Sequence, residues 1–160
     1  GLGDVYKRQI LMILQLIPNT HPLLHERMNK CSYDLDRHEI SKILHENMIH
    51  HEGVGLSANQ IGMSERVFIM MIDTETEETI TCFNPRIVKR YDEEVWFEEG
   101  CLSYPDEIIN IQRPNRIVVK YEDENKVDRK VKLEGFAARV FLHEYDHMEG
   151  INFTQRKGDK

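Results

Sequence analysis

No stretch of this 160-residue chain is long and apolar enough to cross a bilayer; its hydrophobic runs are short and strand-like, well under the ~20 residues of a membrane helix. Cysteine is scarce. Cys31, Cys82 and Cys101 are odd in number, widely spaced and form no CxxC pair, which argues against a disulfide scaffold and for a reducing compartment. Positive charge is in deficit, with 21 Lys and Arg against 28 Asp and Glu, and the net −7 speaks against general nucleic-acid affinity. Internal repeats, low-complexity tracts, interdomain linkers and a Gly-Lys-Ser/Thr phosphate loop are all missing. What is present, 40% hydrophobic and 31% charged residues, is the ordinary composition of one globular domain large enough to bury a core.

The N-terminus reads as foreign to that domain. Residues 1–9 carry no periodicity, and the apolar run 10–17 starts abruptly after Lys7-Arg8 with no small-residue cleavage site behind it, so it is no secretory signal. Met12 stands just ahead of Ile13–Leu16 and is a candidate start. Residues 1–11 are therefore expected to be a non-native leader, residues 12–153 the domain, and residues 154–160 a loose polar, basic tail.

Within the domain, Ile40, Ile43, Leu44 and Met48 recur at helical spacing. They predict an amphipathic helix over 35–52, with Asp34 as N-cap and Gly53 as stop. Val67–Ile72 and Ile80–Phe83 flank an acidic turn, as in a hairpin. Arg86–Val88 and Val95–Phe97 flank a second charged turn, and Ile117–Tyr121 and Val127–Leu133 flank a third. The last regular element, 134–149, has Phe136, Val140, His143 and His147 on one face, with Phe141 and Leu142 making it apolar on other sides, and it ends at Gly150. The expected fold class is α+β: antiparallel β-sheets packed around a central metal-binding helix, with an amphipathic helix nearer the N-terminus.

That last helix contains His143-Glu144-Tyr145-Asp146-His147, a HExxH pattern. Residues four apart stack on one helix face, so two imidazoles can reach one ion. Glu144, next to the first ligand, is placed to handle protons on a bound water. The plainer alternative is two surface histidines on a charged helix. A catalytic ion usually takes three protein ligands. His45, His50 and His51 fit a solvated helix C-terminus, and Cys82 fits a buried, inert thiol. Cys101 follows Gly100 at the end of a strand and is either a thiolate ligand or a packed loop cysteine. Gly53–Gln60 (GVGLSANQ) is a run of small residues closing on an amide. It suits close approach to a ligand and donation to an oxyanion, or else a helix C-cap and tight turn.

Taken together, GVGLSANQ at 53–60, EGCLS at 99–103 and HEYDH at 143–147 resemble the three ordered motifs of the peptide deformylase family: GφGφAAxQ, EGCφS and HExDH, with φ apolar. Residues 13–24 and 135–139 extend the likeness over roughly 13–153. The resemblance implies that Cys101, His143 and His147 bind the metal and that Glu144 is general acid/base. The Gln60 amide and the Leu102 backbone N–H would form the oxyanion hole. Gly55 would hydrogen-bond the substrate backbone, while Val54, Arg139 and Val140 would line a pocket for a methionine side chain. The implied cofactor is one divalent ion, Fe(II) natively, with Ni(II), Co(II) or Zn(II) as substitutes. The implied reaction is hydrolysis of the N-formyl group from new polypeptides by metal-bound hydroxide, in a bacterial or phage-infected cytoplasm.

Departures from the family pattern are mild. Ser57 replaces an Ala, Leu142 stands where Gln is common, and Met148 where Leu is common. The chain stops about ten residues past Gly150, as in short phage and marine viral members, where many bacterial members continue into a ribosome-docking helix. Ribosome contact is accordingly expected to be weak, with no direct nucleic-acid binding and no membrane. The competing activity is a HExxH metallopeptidase. Such enzymes commonly take a third ligand from downstream, and only thirteen residues follow His147.

Overall fold

The computed structural model describes residues 12–156, so the expected leader and the end of the expected tail lie outside the described residues. The first predicted helix forms as α1, Arg37–His50. Its N-cap is Asp36 rather than Asp34, because Asp36 directly precedes the first helical residue and its side chain accepts from the Glu39 N–H at 3.1 Å. The second helix, α2, spans Gly135–Met148. It stops at Gly150, whose φ is +73° and whose missing Cβ would lie 2.6 Å from the carbonyl carbon of Glu26, so the turn admits only glycine.

Seven strands complete the fold among the described residues: β1 (Gly55–Ser57), β2 (Val67–Met71), β3 (Thr79–Arg90), β4 (Glu94–Cys101), β5 (Tyr104–Pro114), β6 (Arg116–Glu122) and β7 (Asp128–Glu134). The order β1-β2-β3-β6-β7 makes one antiparallel sheet, and β4-β5 a separate antiparallel hairpin. The fold is α+β, as expected. Two of the turns read from sequence join paired strands, β2–β3 and β6–β7. The charged turn after Val88 does not: there the chain leaves one sheet for the other.

β5 escaped the sequence reading altogether. Its inward face is Ile109, Ile111 and Arg113, and a buried arginine breaks the apolar alternation that marks a half-buried strand. Ile108, by contrast, is 73% exposed.

Strand β2 (VFIMM) shows no polar alternation because both its faces are covered. Phe68 and Met70 pack with Phe141, Leu142 and Met148 of α2, whereas Val67, Ile69 and Met71 pack with Ile40, Ile43, Leu44 and Met48 of α1. Each such fully buried side chain contributes roughly 1.5–3 kcal/mol. The sheet and α1 thus hold α2 from behind and leave its polar motif facing the β4–β5 hairpin. Among the described residues no helix is long and apolar enough to cross a membrane.

Candidate metal centre and its cleft

α2 turns the whole of its HExxH motif inward: His143, Glu144 and His147 are all buried. Cys101 meets them from the end of β4. The β4–β5 register breaks between Gly100 and Cys101, and such an irregularity re-aims a side chain. Cys101 Sγ lies 3.5 Å from His147 Nε2, and the donor atoms of Cys101, His143 and His147 all fall within 4.8 Å of one another.

The trio suits an ion. Thiolate and imidazole donors bonded at about 2.3 and 2.1 Å around a tetrahedral ion stand about 3.6 Å apart. Burial opposes charge on His143, yet hydrogen bonds to Cys101 and Glu99 draw a proton onto it, up to about 10. Burial and the neighbouring His143 charge push His147 well below its ordinary value.

An outer layer sets the orientation. Glu99 Oε1 accepts from His143 Nδ1 at 2.9 Å, which leaves Nε2 available to an ion. Glu99 also accepts from Arg113 at 2.6 and 3.0 Å and from Arg139 at 2.8 Å; burial opposes its charge, but these partners hold it well below the usual carboxylate range. Arg113 donates on to Asp146 at 2.8 Å, and Asp146 also accepts from Arg156. Arg156 lies in the stretch expected to be a loose tail; instead it is tied to the metal helix by this ion pair within a 3₁₀ turn, Phe153–Arg156.

Gln60 closes the other side. Its Oε1 accepts from Ser57 N–H and Ser57 Oγ, both at 3.0 Å, which turns Nε2 toward Ser103 Oγ at 2.9 Å and Cys101 Sγ at 3.8 Å. The Ser57 that departs from the family's Ala therefore adds a hydrogen bond that fixes the amide. Gly55 permits the approach of Glu144, since a Cβ there would stand 2.6 Å from Glu144 Oε2. Burial raises Glu144 to about 7, and its Oε1 has no hydrogen-bond partner among the described residues.

A cleft of about 460 Å³ opens over these groups. Val54, Gly55, Gln60, Cys101, Leu102, Arg139, Val140, His143 and Glu144, all named from sequence, line it, while His147 lies beneath at 1% exposure. The guanidinium of Arg139 is held by Glu99, Ile111 O and Val95 O, so it presents its stem rather than its charge. Sequence reasoning gave no role to Glu99, Arg113 or Ser103. Glu99 sat inside a recognised motif, but nothing local marks Arg113.

A HExxH helix meeting a cysteine beside a small-ligand cleft has the donor set of a metallohydrolase-type centre, three side chains that could hold one ion. The polypeptide deformylase family model matches residues 13–160, and the chain belongs to that family. A peptide deformylase of Thermotoga sp. strain RQ2 is 41% identical over 111 residues, 69% of this chain and 66% of its own length. One from Treponema pallidum is 42% identical over 108 residues, 68% of this chain and 65% of its own length. The crystal structure of peptide deformylase from Thermotoga maritima superposes with a TM-score of 0.86 at 33% identity, covering 92% of this chain and 99% of that one. That from Ehrlichia chaffeensis gives 0.86 at 29% identity, covering 92% and 89%. The metallopeptidase alternative finds no support in these likenesses.

Proposed function

We propose that the chain hydrolyses the N-formyl group from the N-terminal formyl-methionine of newly made polypeptides in the cytoplasm. The observation that carries this reading is the convergence of Glu144, the pinned Gln60 amide and the Cys101–His143–His147 trio on one cleft of ligand size. Family membership supports it.

Cys101, His143 and His147 would hold one divalent ion, Fe(II) natively, and its chemistry is to lower the pKa of water and so supply hydroxide at neutral pH. Thiolate and imidazole donors are compatible with iron or zinc. Glu144, raised to about 7, takes the proton from the attacking water and returns it to the amine nitrogen as the formyl C–N bond breaks and formate leaves. Gln60 Nε2 and the Leu102 N–H donate to the oxygen that gains charge. Gly55 bonds the peptide backbone, and Val54, Val140 and the Arg139 stem receive the methionine side chain.

The test is formate release from a formyl-Met tripeptide by anaerobically purified protein loaded with Fe(II) or Ni(II). Rapid release is expected, with a loss of about 10²–10⁴-fold in Glu144→Ala at unchanged metal content. Stoichiometric metal without formate release would overturn the reading.

A further inference from the structure

The donors of the candidate centre come from two bodies. His143 and His147 ride on α2, which packs against the five-stranded sheet, whereas Cys101 ends β4 of the separate β4–β5 hairpin. Among the described residues, neither strand of that hairpin is hydrogen-bonded to the larger sheet. The spacing of the Cys101 thiol from the two imidazoles is therefore set by whatever fastens hairpin to helix. Gln60 and Asn19 hold the hairpin at Ser103, both from outside α2.

The 3₁₀ turn Phe153–Arg156 touches both bodies. Phe153 is buried in a small cluster with Cys101, Ile109 and Ile111 of the hairpin. The same ring stands edge-on to His143 of α2, 5.6 Å between centroids. Arg156, at the end of the turn, forks onto Asp146 of α2: Nη2 donates to Oδ1 at 3.0 Å and Nε to Oδ2 at 3.1 Å. Arg113 of β5 divides its guanidinium between two buried carboxylates, giving Nη1 to Asp146 and both Nε and Nη2 to Glu99. Arg156 supplies the second cation on Asp146. Without it, Asp146 would have Arg113 alone, and a buried carboxylate short of partners would draw that guanidinium away from Glu99. Glu99 is the group that orients the His143 ring.

We propose that Arg156 is a positioning residue for the metal centre. By sharing Asp146 with Arg113 it clasps the hairpin to α2, and Phe153 is the wedge seated between them. The clasp fixes Cys101 relative to the two histidines and keeps Glu99 on His143. Both residues lie downstream of HEYDH, outside the three motifs. The Arg156 side chain is 45% exposed, so its replacement should cost little folding stability, while the Asp146 beneath it is buried. The inference rests on Cys101, His143 and His147 forming one divalent-ion site.

The test is Co(II) binding by the full chain, read by chelator competition and by the absorption spectrum, where a thiolate ligand gives a sulfur-to-metal charge-transfer band. Arg156→Gln is expected to weaken Co(II) binding by about 10–100-fold and to weaken and shift that band. Thermal unfolding of the metal-free variant should change little. Arg156→Lys keeps the charge but loses the fork, and should recover part of the affinity. The control Arg27→Gln breaks an exposed ion pair to Glu149, just past α2, and should leave affinity and spectrum as in wild type. Wild-type affinity with an unaltered spectrum in Arg156→Gln would overturn the inference. An equal loss in Arg27→Gln would also overturn it, since no specific role for Arg156 would remain. Absence of Co(II) binding by the wild-type chain would remove the metal-centre reading itself, and this inference with it.

Discussion

Two regions of this molecule concentrate charge and treat it oppositely. Around the metal centre, Glu99, Arg113, Arg139 and Asp146 are buried, and each has charged partners at 2.6–3.1 Å. On the outer face of β3–β6–β7, Arg86, Lys120 and Lys130 stand side by side with no counter-ion among the described residues. The contrast follows from dielectric. An unpaired ion in the interior costs several kcal/mol, so a buried charge must come with its partners. An exposed cation is solvated, and its repulsion from neighbours is small enough to tolerate. Buried, paired charge therefore marks positioning of neighbouring groups, and exposed charge of one sign can stand unpaired in water.

The largest effect should come from breaking the buried network. Glu99→Gln keeps the shape but removes the charge that Arg113, Arg139 and His143 share. We expect a loss of about 3–5 kcal/mol in urea unfolding and a fall of about 10–100-fold in metal affinity by chelator competition. An unchanged unfolding midpoint would sink the claim that the network is structurally required.

Glu122 is the intermediate case, half-buried at the boundary of the basic face. Burial opposes its charge, but the hydrogen bond from Arg37 lowers its pKa below 4.5. A carboxylate with a depressed folded-state pKa contributes stability above its unfolded value and loses it as pH falls through the folded one. Wild-type stability from this pair should thus be constant above pH 4.5 and decline below it, and Arg37→Met should flatten that decline. An identical pH slope in the variant would assign the acid sensitivity elsewhere.

The smallest effect belongs to the exposed face. Lys120→Gln should change unfolding free energy by no more than about 0.5 kcal/mol, in the stabilising direction because it relieves cross-strand repulsion. Marked destabilisation in a thermal melt would mean that Lys120 has a structural partner and would weaken the contrast.

The chemistry was legible wherever it is carried by residues close in sequence. His143, Glu144 and His147 are set by helical periodicity, and GVGLSANQ and EGCLS each hold their roles within a few residues. The hairpins were legible where apolar alternation met a charged turn. β5 was not, because its inward face ends in Arg113, whose burial makes sense only beside Glu99 and Asp146. Nor was the charge on β3, β6 and β7: Arg86, Lys120 and Lys130 are far apart in the chain and ordinary one by one.

By itself, then, the sequence determined the family, the α+β class and the helix that bears HExxH, because local spacing and composition suffice for each. Tertiary structure alone decided that Glu99 orients the His143 ring, that Ser57 aims Gln60, that Arg156 is anchored, and that Arg86, Lys120 and Lys130 share one face. Each of these depends on strand register and on packing between distant segments, and a chain does not display in one dimension which of its charges will be buried together and which will be left facing water.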